Sequence, residues 1–403
     1  MKDKMKRNIG LDYIFRFLTS FSLTEAIWVL YLAYKGLSLA QIGLLEGVFH
    51  ITSLISEVPS GVMADRMGRK KVILLGRISN IISSFIMLKA TEMWQFGISF
   101  VFTAWGFNLL SGSEDALVYD SFLCMDEEEG YFKTNSRLNV IMEIGQGLAT
   151  FIGGILSEIS FTYCYVATVV VTLISLVPCM MFQEPELQES KKKEKVTWKE
   201  HFVRSFQVIR GNRKIAELLF FYSFVFTFYT SVYFYSQQYF LGLGLRKIQI
   251  SVIMLLAGVM SCVGALCSEK AVKTGKEHTK YVATFVIAVG ILGLSLGNIV
   301  LSIGCIAVIS FFNAMLYPNQ SASLNRMIPS EQRATIISVS SMTFSVFMIV
   351  LFPIMGWSAD CWGMQRTFLI VGVVEMGVLS ILIWHDNNRK TGILEKIKIV
   401  ISK

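Results

Sequence analysis

The sequence predicts an all-α integral membrane protein, with twelve transmembrane helices in two six-helix bundles and both termini in the cytoplasm. Three observations carry this expectation. First, 53% of the 403 residues are hydrophobic and 16% charged, with mean hydropathy +0.55, whereas a soluble chain carries about 25% charged residues. Second, twelve apolar segments have the ~20-residue length that crosses hydrocarbon. They are 11–34, 41–63, 72–90, 94–118, 137–158, 162–182, 214–239, 248–268, 279–298, 300–323, 334–357 and 366–385. Third, the 37 basic residues sort by side. With the N-terminus inside, only Lys35, Lys89, Arg246, Lys247 and Arg366 fall in outer loops, and Arg16 and Arg77 fall within helices. The rest lie in the termini and cytoplasmic loops, which is the bias that orients membrane chains.

The net charge of +8 is therefore a topology signal rather than a nucleic-acid footprint. It also attracts anionic lipid head groups. The basic start, Met1–Arg7, runs into a spanning segment with no small-residue cleavage site, so no removable signal peptide is expected. The seven cysteines are scattered through apolar segments, without a paired or metal-binding spacing. No nucleophile elbow, P-loop or cofactor motif points to an enzyme, and no metal is expected. No cofactor is expected either; a proton gradient is the expected driving force.

Gly61–Lys71 reads G-V-M-A-D-R-M-G-R-K-K between two long apolar runs. Its glycines suit a close helix contact at Gly61 and a sharp turn at Gly68. This loop resembles the signature loop between helices two and three of the major facilitator superfamily of transporters. Gly61, Asp65, Arg66, Gly68, Arg69, Lys70 and Lys71 carry the match. Ser111–Ser121 is similar to the end of helix four in bacterial efflux members, and Ile328–Ser338 to the family's loop before helix eleven. The resemblance implies the family's fold, with an N-terminal bundle at 1–186 and a C-terminal bundle and tail at 214–403. Between them, 187–213 is a cytoplasmic linker whose amphipathic run Trp198–Ile209 suits the membrane surface. A weak internal echo supports duplication: Gly36, Leu37, Leu39 and Ile42 align with Gly242, Leu243, Leu245 and Ile248. The resemblance also implies a substrate site between the halves near the midplane, and an Arg69 bridge from Asp65 to Asp120 that locks the cytoplasmic gate.

A charge at the bilayer centre costs at least ~2.5–3.5 kcal/mol, so each one calls for a partner or a role. Arg16 stands one turn from Asp12, which predicts an ion pair; Glu143 is a second candidate partner. Glu25 lies near mid-span with no base one turn away, which is the setting of a proton carrier or of a neutral, hydrogen-bonded Glu. Glu46, His50, Ser53 and Glu57 share one face of the second span at spacings of 4, 3 and 4. That stripe reads as a proton relay, as a solvated cleft face, or as hydrogen bonds between the two halves. Trp105, Asn108, Gly112, Asp115 and Tyr119 share a face of the fourth span, with Asn108 where family antiporters carry an Arg. Tyr222, Phe226, Tyr229, Tyr233 and Phe240 form an aromatic face on the seventh span, and Asn313 and Tyr317 join them from the tenth. They read as an aromatic cavity wall or as helix packing. Glu375 reads as a structural acid.

Clear acids in the membrane are Glu25, Glu46, Glu57, Glu143 and Glu375, against Arg16 and an Arg77 expected to reach out to the cytoplasm. Such a cavity attracts protons and organic cations and lacks the paired bases that anions need. The expected function is secondary active transport of a small organic solute across the cell membrane by a monomer. Proton-coupled efflux of a lipophilic or cationic compound leads, with Glu25, Glu46, His50 and Glu57 coupling the protons. The cavity is expected at Asn108, Asp115, Tyr222, Tyr229, Tyr233, Asn313 and Tyr317. A proton-coupled importer of a sugar or metabolite, or a non-transporting sensor on the same fold, are the alternatives.

Overall fold

A computed structural model describes residues 2–185, 213–275, 278–327 and 333–401. The linker, its amphipathic run, and most of the loop before the eleventh expected span lie outside the described residues. Fourteen helices and no strands are present among the described residues. They are α1 (Lys2–Ser20), α2 (Trp28–Tyr34), α3 (Leu39–Met67), α4 (Arg69–Lys89), α5 (Met93–Met125), α6 (Glu129–Ile159), α7 (Phe161–Ile174) and α8 (Leu176–Met181). After the linker come α9 (Arg213–Gly242), α10 (Lys247–Gly275), α11 (His278–Leu294), α12 (Ile299–Met327), α13 (Arg333–Trp362) and α14 (Met364–Ile401).

Nine stretches among the described residues are long and apolar enough to cross a membrane, and α11 is a shorter apolar helix. Large apolar side chains such as Leu266, Val300, Leu296 and Ile159 stay exposed on the outside, as a lipid-facing surface requires. The seven cysteines form no disulfide. Starts are set by local chemistry. Ser38 and Gln41 form a reciprocal capping box at α3, and Glu92 and Gln95 do the same at α5.

The first expected span is not one helix. It is interrupted between Ser20 and Trp28. Thr19 Oγ1 donates to the Arg16 carbonyl at 3.0 Å, and Ser22 and Thr24 bring two more hydroxyls; such side chains compete with the helix for backbone groups. Gln237 Nε2 from α9 donates to the freed Glu25 carbonyl at 3.3 Å. Broken backbone at membrane depth survives where protein re-satisfies it. Gly153 on α6 lies against this segment, and a Cβ there would run into the Leu23 carbonyl.

Helices of the two chain halves meet through α3 on α13, α6 on α10 and α2 on α9. The end of the molecule opposite the termini is tightly sealed. Asp360 at the end of α13 accepts the Leu39 and Ala40 N–H groups of α3 at 3.0 and 2.8 Å. Tyr235 Oη donates to the Leu39 and Phe352 carbonyls at 3.1 and 3.0 Å. Gly43 admits this hydroxyl, since a Cβ there would lie 2.9 Å from it. On the other interface Lys247 Nζ donates to Ser157 O, and Ile248 N–H to Glu158 Oε1 at 3.0 Å.

Gly153→Ala is expected to lower stability by about 1–3 kcal/mol, the usual magnitude of overpacking. The readout is the thermal unfolding midpoint in detergent; an unchanged midpoint would show that the unwound segment yields freely.

Candidate functional site

The interruption after α1 opens on a cavity of about 950 Å³. Its walls come from α1, the break after it, α2, α3, α4, α5, α6 and α7, and among the described lining residues only Phe234 comes from beyond the linker. The cavity lies mostly within the first half of the chain rather than evenly between the halves. Asn135, Arg16 and Asp115 line it nearer the termini, and Glu25, Trp28 and Glu46 line it further in.

Arg16 is the fixed point of its wall. It is buried, pairs with Asp12 Oδ2 at 2.9 Å, and reaches across to Asp115 Oδ1 on α5 at 2.5 Å. Asp12 is fully buried, whereas the Asp115 side chain is 54% exposed. The Asp12 pair follows directly from i,i+4 spacing; the Asp115 pair needed the packing of α1 on α5. Glu143 is not a partner of Arg16. It is exposed and faces α10, with Cys262 Sγ 3.9 Å away, because its helix face turns from α1 at that depth; Met142 Sδ takes the Arg16 contact instead.

Arg77 does not reach out to the cytoplasm. It is 4% exposed, donates from Nε to Ser175 Oγ at 2.8 Å, and lines the cavity. The break between α7 and α8 at Ser175 supplies that acceptor. Glu114, which sequence reasoning passed over beside Asp115, is buried and lines the same wall. The signal was available: a second acid next to Asp115 stands only about 100° round the helix, near enough to line the same cavity.

The expected site residues divide. Glu25 and Glu46 line the cavity, and so does Asp115. His50 sits 3.5 Å from Glu46 through Nε2, but its Nδ1 is 3.2 Å from Ser345 Oγ on α13. Glu57 Oε1 accepts from Ser338 Oγ on α13 at 2.6 Å. Ser53 donates to Asn108 Oδ1 at 2.9 Å, and Asn108 Nδ2 returns to Ser53 O and Ser56 Oγ at 2.6 and 2.8 Å. Past Glu46 the polar stripe is thus hydrogen-bonded to α13 and α5, and Asn108 fastens α5 to α3 instead of lining the cavity.

The aromatic face of α9 is also not in this lining. Tyr222 and Phe240 are fully buried. Phe226 stacks on Tyr317 at 5.1 Å and Tyr229 on Tyr233 at 5.9 Å. Asn313 is buried on α12 and Tyr317 is 65% exposed. These side chains pack α9 on α12, the packing alternative. The aromatic groups that do line the cavity are Phe21, Trp28, Phe49, Phe100, Phe107, Tyr165 and Phe234, spread over five helices and the break after α1 at no single period. Glu375 is 1% exposed, and neither carboxylate oxygen has a hydrogen-bond partner among the described residues.

At the termini end, Gly68 alone separates α3 from α4, with φ +92, a conformation that favours glycine. Arg69 stands 3.0 Å from Asp65 through Nη1 and 3.6 Å from Asp120 through Nε. Glu184 accepts the Arg69 and Lys70 N–H groups at 2.6 and 2.9 Å, a carboxylate on a helix N-terminus. Arg66 and Lys71 are exposed. Gly61 makes no close helix contact: it is exposed, and a Cβ there would meet nothing within 4 Å.

The Major Facilitator Superfamily model matches residues 11–342. The chain belongs to this family. It is therefore a multi-pass membrane transporter and not an enzyme. Among superfamily relatives, it is 24% identical over 369 residues to the MFS-type transporter YxaM of Bacillus subtilis, covering 86% of this chain and 88% of that one. It is 20% identical to MFS-type transporter MJ1560 of Methanocaldococcus jannaschii, covering 94% and 98%. Its fold is similar to the crystal structure of nucleoside transporter NupG, with TM-score 0.75 at 13% identity over 94% of this chain and 98% of that one. A bacterial homologue of the human lysosomal transporter Spinster, inward-facing and unoccupied, gives TM-score 0.73 at 15% identity over 94% and 95%.

Arg16→Gln is expected to cost about 3–5 kcal/mol, because it strands the buried Asp12 charge. Adding Asp12→Asn is expected to restore most of that loss. Thermal unfolding of the two variants in detergent checks it; equal losses would mean that the ion pair is not what Arg16 contributes.

Proposed function

We propose that this superfamily member is a secondary active transporter that exports a lipophilic or cationic organic compound in exchange for protons. The observation that carries the reading is the cavity itself. It combines Glu25 and Glu46 with Trp28, Phe49, Phe100, Phe107 and Phe234, beside an unwound stretch of the first span. Carboxylates next to aromatic faces suit an organic cation. The α1 C-terminus adds carbonyl groups with the same preference.

In this reading α1 with α2, α5 and α11 join the nine long apolar stretches to give twelve spans. The two six-helix bundles, 1–186 and 214–403, rock about the cavity, with both termini and the 187–213 linker in the cytoplasm of a cell-membrane monomer. The sealed end at Asp360 and Tyr235 is then the outer gate in its closed state. The Asp65–Arg69–Asp120 contacts belong to the inner gate. Glu25 carries the exchanged proton. Glu46 passes it toward His50 and Glu57, whose bonds to Ser345 and Ser338 tie protonation to the α3–α13 interface. A substrate moves the equilibrium only through its differential affinity for the two states.

In proteoliposomes with an imposed pH gradient, Glu25→Gln is expected to abolish proton-driven accumulation of a lipophilic cation such as ethidium while leaving its binding within about threefold. Transport that persists in this variant would remove Glu25 from the coupling. Asp65→Asn is expected to slow turnover about tenfold or more with little change in affinity; equal loss of both would count against a gate role.

A further inference from the structure

The cavity wall between α4 and α5 holds a basic and an acidic group whose hydrogen-bonding capacity the protein leaves largely unused. Arg77 is 4% exposed and Glu114 8%, and both line the cavity. Arg77 spends Nε on Ser175 Oγ and rests over the Phe15 ring at 6.0 Å. Its two terminal nitrogens donate to no described residue. The Glu114 carboxylate accepts no hydrogen bond from any described residue, although Arg16, Asp12, Arg77 and Asp115 are within electrostatic reach.

A close helix contact brings α4 and α5 together where the two line the cavity. Gly76 packs on α5 so tightly that a Cβ there would lie 2.8 Å from Leu110. Arg77 follows Gly76, and Glu114 stands one turn beyond Leu110. Arg16 does not compete for this role, since Asp12 and Asp115 already hold it.

Buried charges without hydrogen-bonded partners are costly and call for one. The open edge of a guanidinium presents paired N–H groups that match a carboxylate. An ionised carboxylate only accepts, so its complement is an ammonium. Two such groups of opposite sign on one wall complement a molecule that carries both charges. We propose that Arg77 and Glu114 form a head-group subsite for a zwitterionic amine, with the carboxylate on Arg77 and the ammonium on Glu114. Asn80 and Ser111 flank the head group, and Phe107 and Phe100 receive an apolar body. This rests on the cavity being the transport site, and it narrows the cationic solute to one that also bears a carboxylate.

The test uses the purified full-length protein in detergent, without a gradient, and three probes on one skeleton. Phenylalanine carries both charges, phenethylamine the ammonium alone and 3-phenylpropionate the carboxylate alone. Binding is read by tryptophan fluorescence and by thermal shift. The unsubstituted protein is expected to bind phenylalanine about tenfold tighter than either single-charge probe, since charged hydrogen bonds carry this order of discrimination. Arg77→Gln is expected to bring phenylalanine within about twofold of phenethylamine, and Glu114→Gln within about twofold of 3-phenylpropionate. Equal or tighter binding of phenethylamine by the unsubstituted protein overturns the proposal, as does binding of none of the three. That comparison stands even where a substituted protein does not fold. A phenylalanine preference undiminished in a folded Arg77→Gln also overturns it. Absence of proton-driven transport in proteoliposomes bears on the coupling mechanism and leaves this binding result intact.

Discussion

Arg16 is bound by a carboxylate on its own helix and another on α5, and much of the cavity's geometry follows from that pairing. A guanidinium buried at membrane depth is costly, so it calls for fixed protein partners. Below it, Asn8 joins Ser121 Oγ and the Gln183 carbonyl at 3.1 and 2.8 Å, so the lower part of α1 is held to α5 and to the segment after α8. Above the break, Tyr31 Oη donates to Met87 O at 2.8 Å and anchors α2 to α4. With both flanks anchored, the unwound residues between them have a defined place. Glu25 is delivered to the cavity by backbone that is not helical.

The polar groups of α3 divide the labour along its length. Near the sealed end, small residues and backbone groups let α3 and α13 approach closely around Tyr235. In the middle, Glu46 faces the cavity while His50 faces Ser345. Nearer the termini, Glu57 bonds Ser338. One helix face therefore touches the cavity and the interface between the chain's halves in turn. A charge change at one point of the stripe therefore acts on hydrogen bonds that join the chain's two halves.

Glu184 gives the signature loop a contact that its own motif does not contain. It comes from the segment that leads into the linker, and its carboxylate closes over the first N–H groups of α4. Gly68 is doubly constrained there: it has positive φ, and a Cβ would lie 2.7 Å from the Glu184 carboxylate. The loop is held from two directions, by Arg69 ion pairs to α3 and α5 and by the acid that follows α8.

What the sequence determined by itself was local or statistical: apolar length, the one-residue turn at Gly68, and the Asp12–Arg16 pair one turn apart. Each depends on a span of a few residues or on a sum over the chain, so each was legible without coordinates. The family motif was legible for the same reason. The cavity was decided by tertiary structure. A face of α9 that looked like a cavity wall packs on α12, and Asn108 bonds to α3, because helical periodicity says which residues share a face but not what that face meets. Arg77 and Glu114 come to line one cavity wall because Gly76 lets α4 and α5 approach closely. The break in the first span is likewise invisible to hydropathy: it rests on competing hydroxyls and on Gln237, which is distant in sequence.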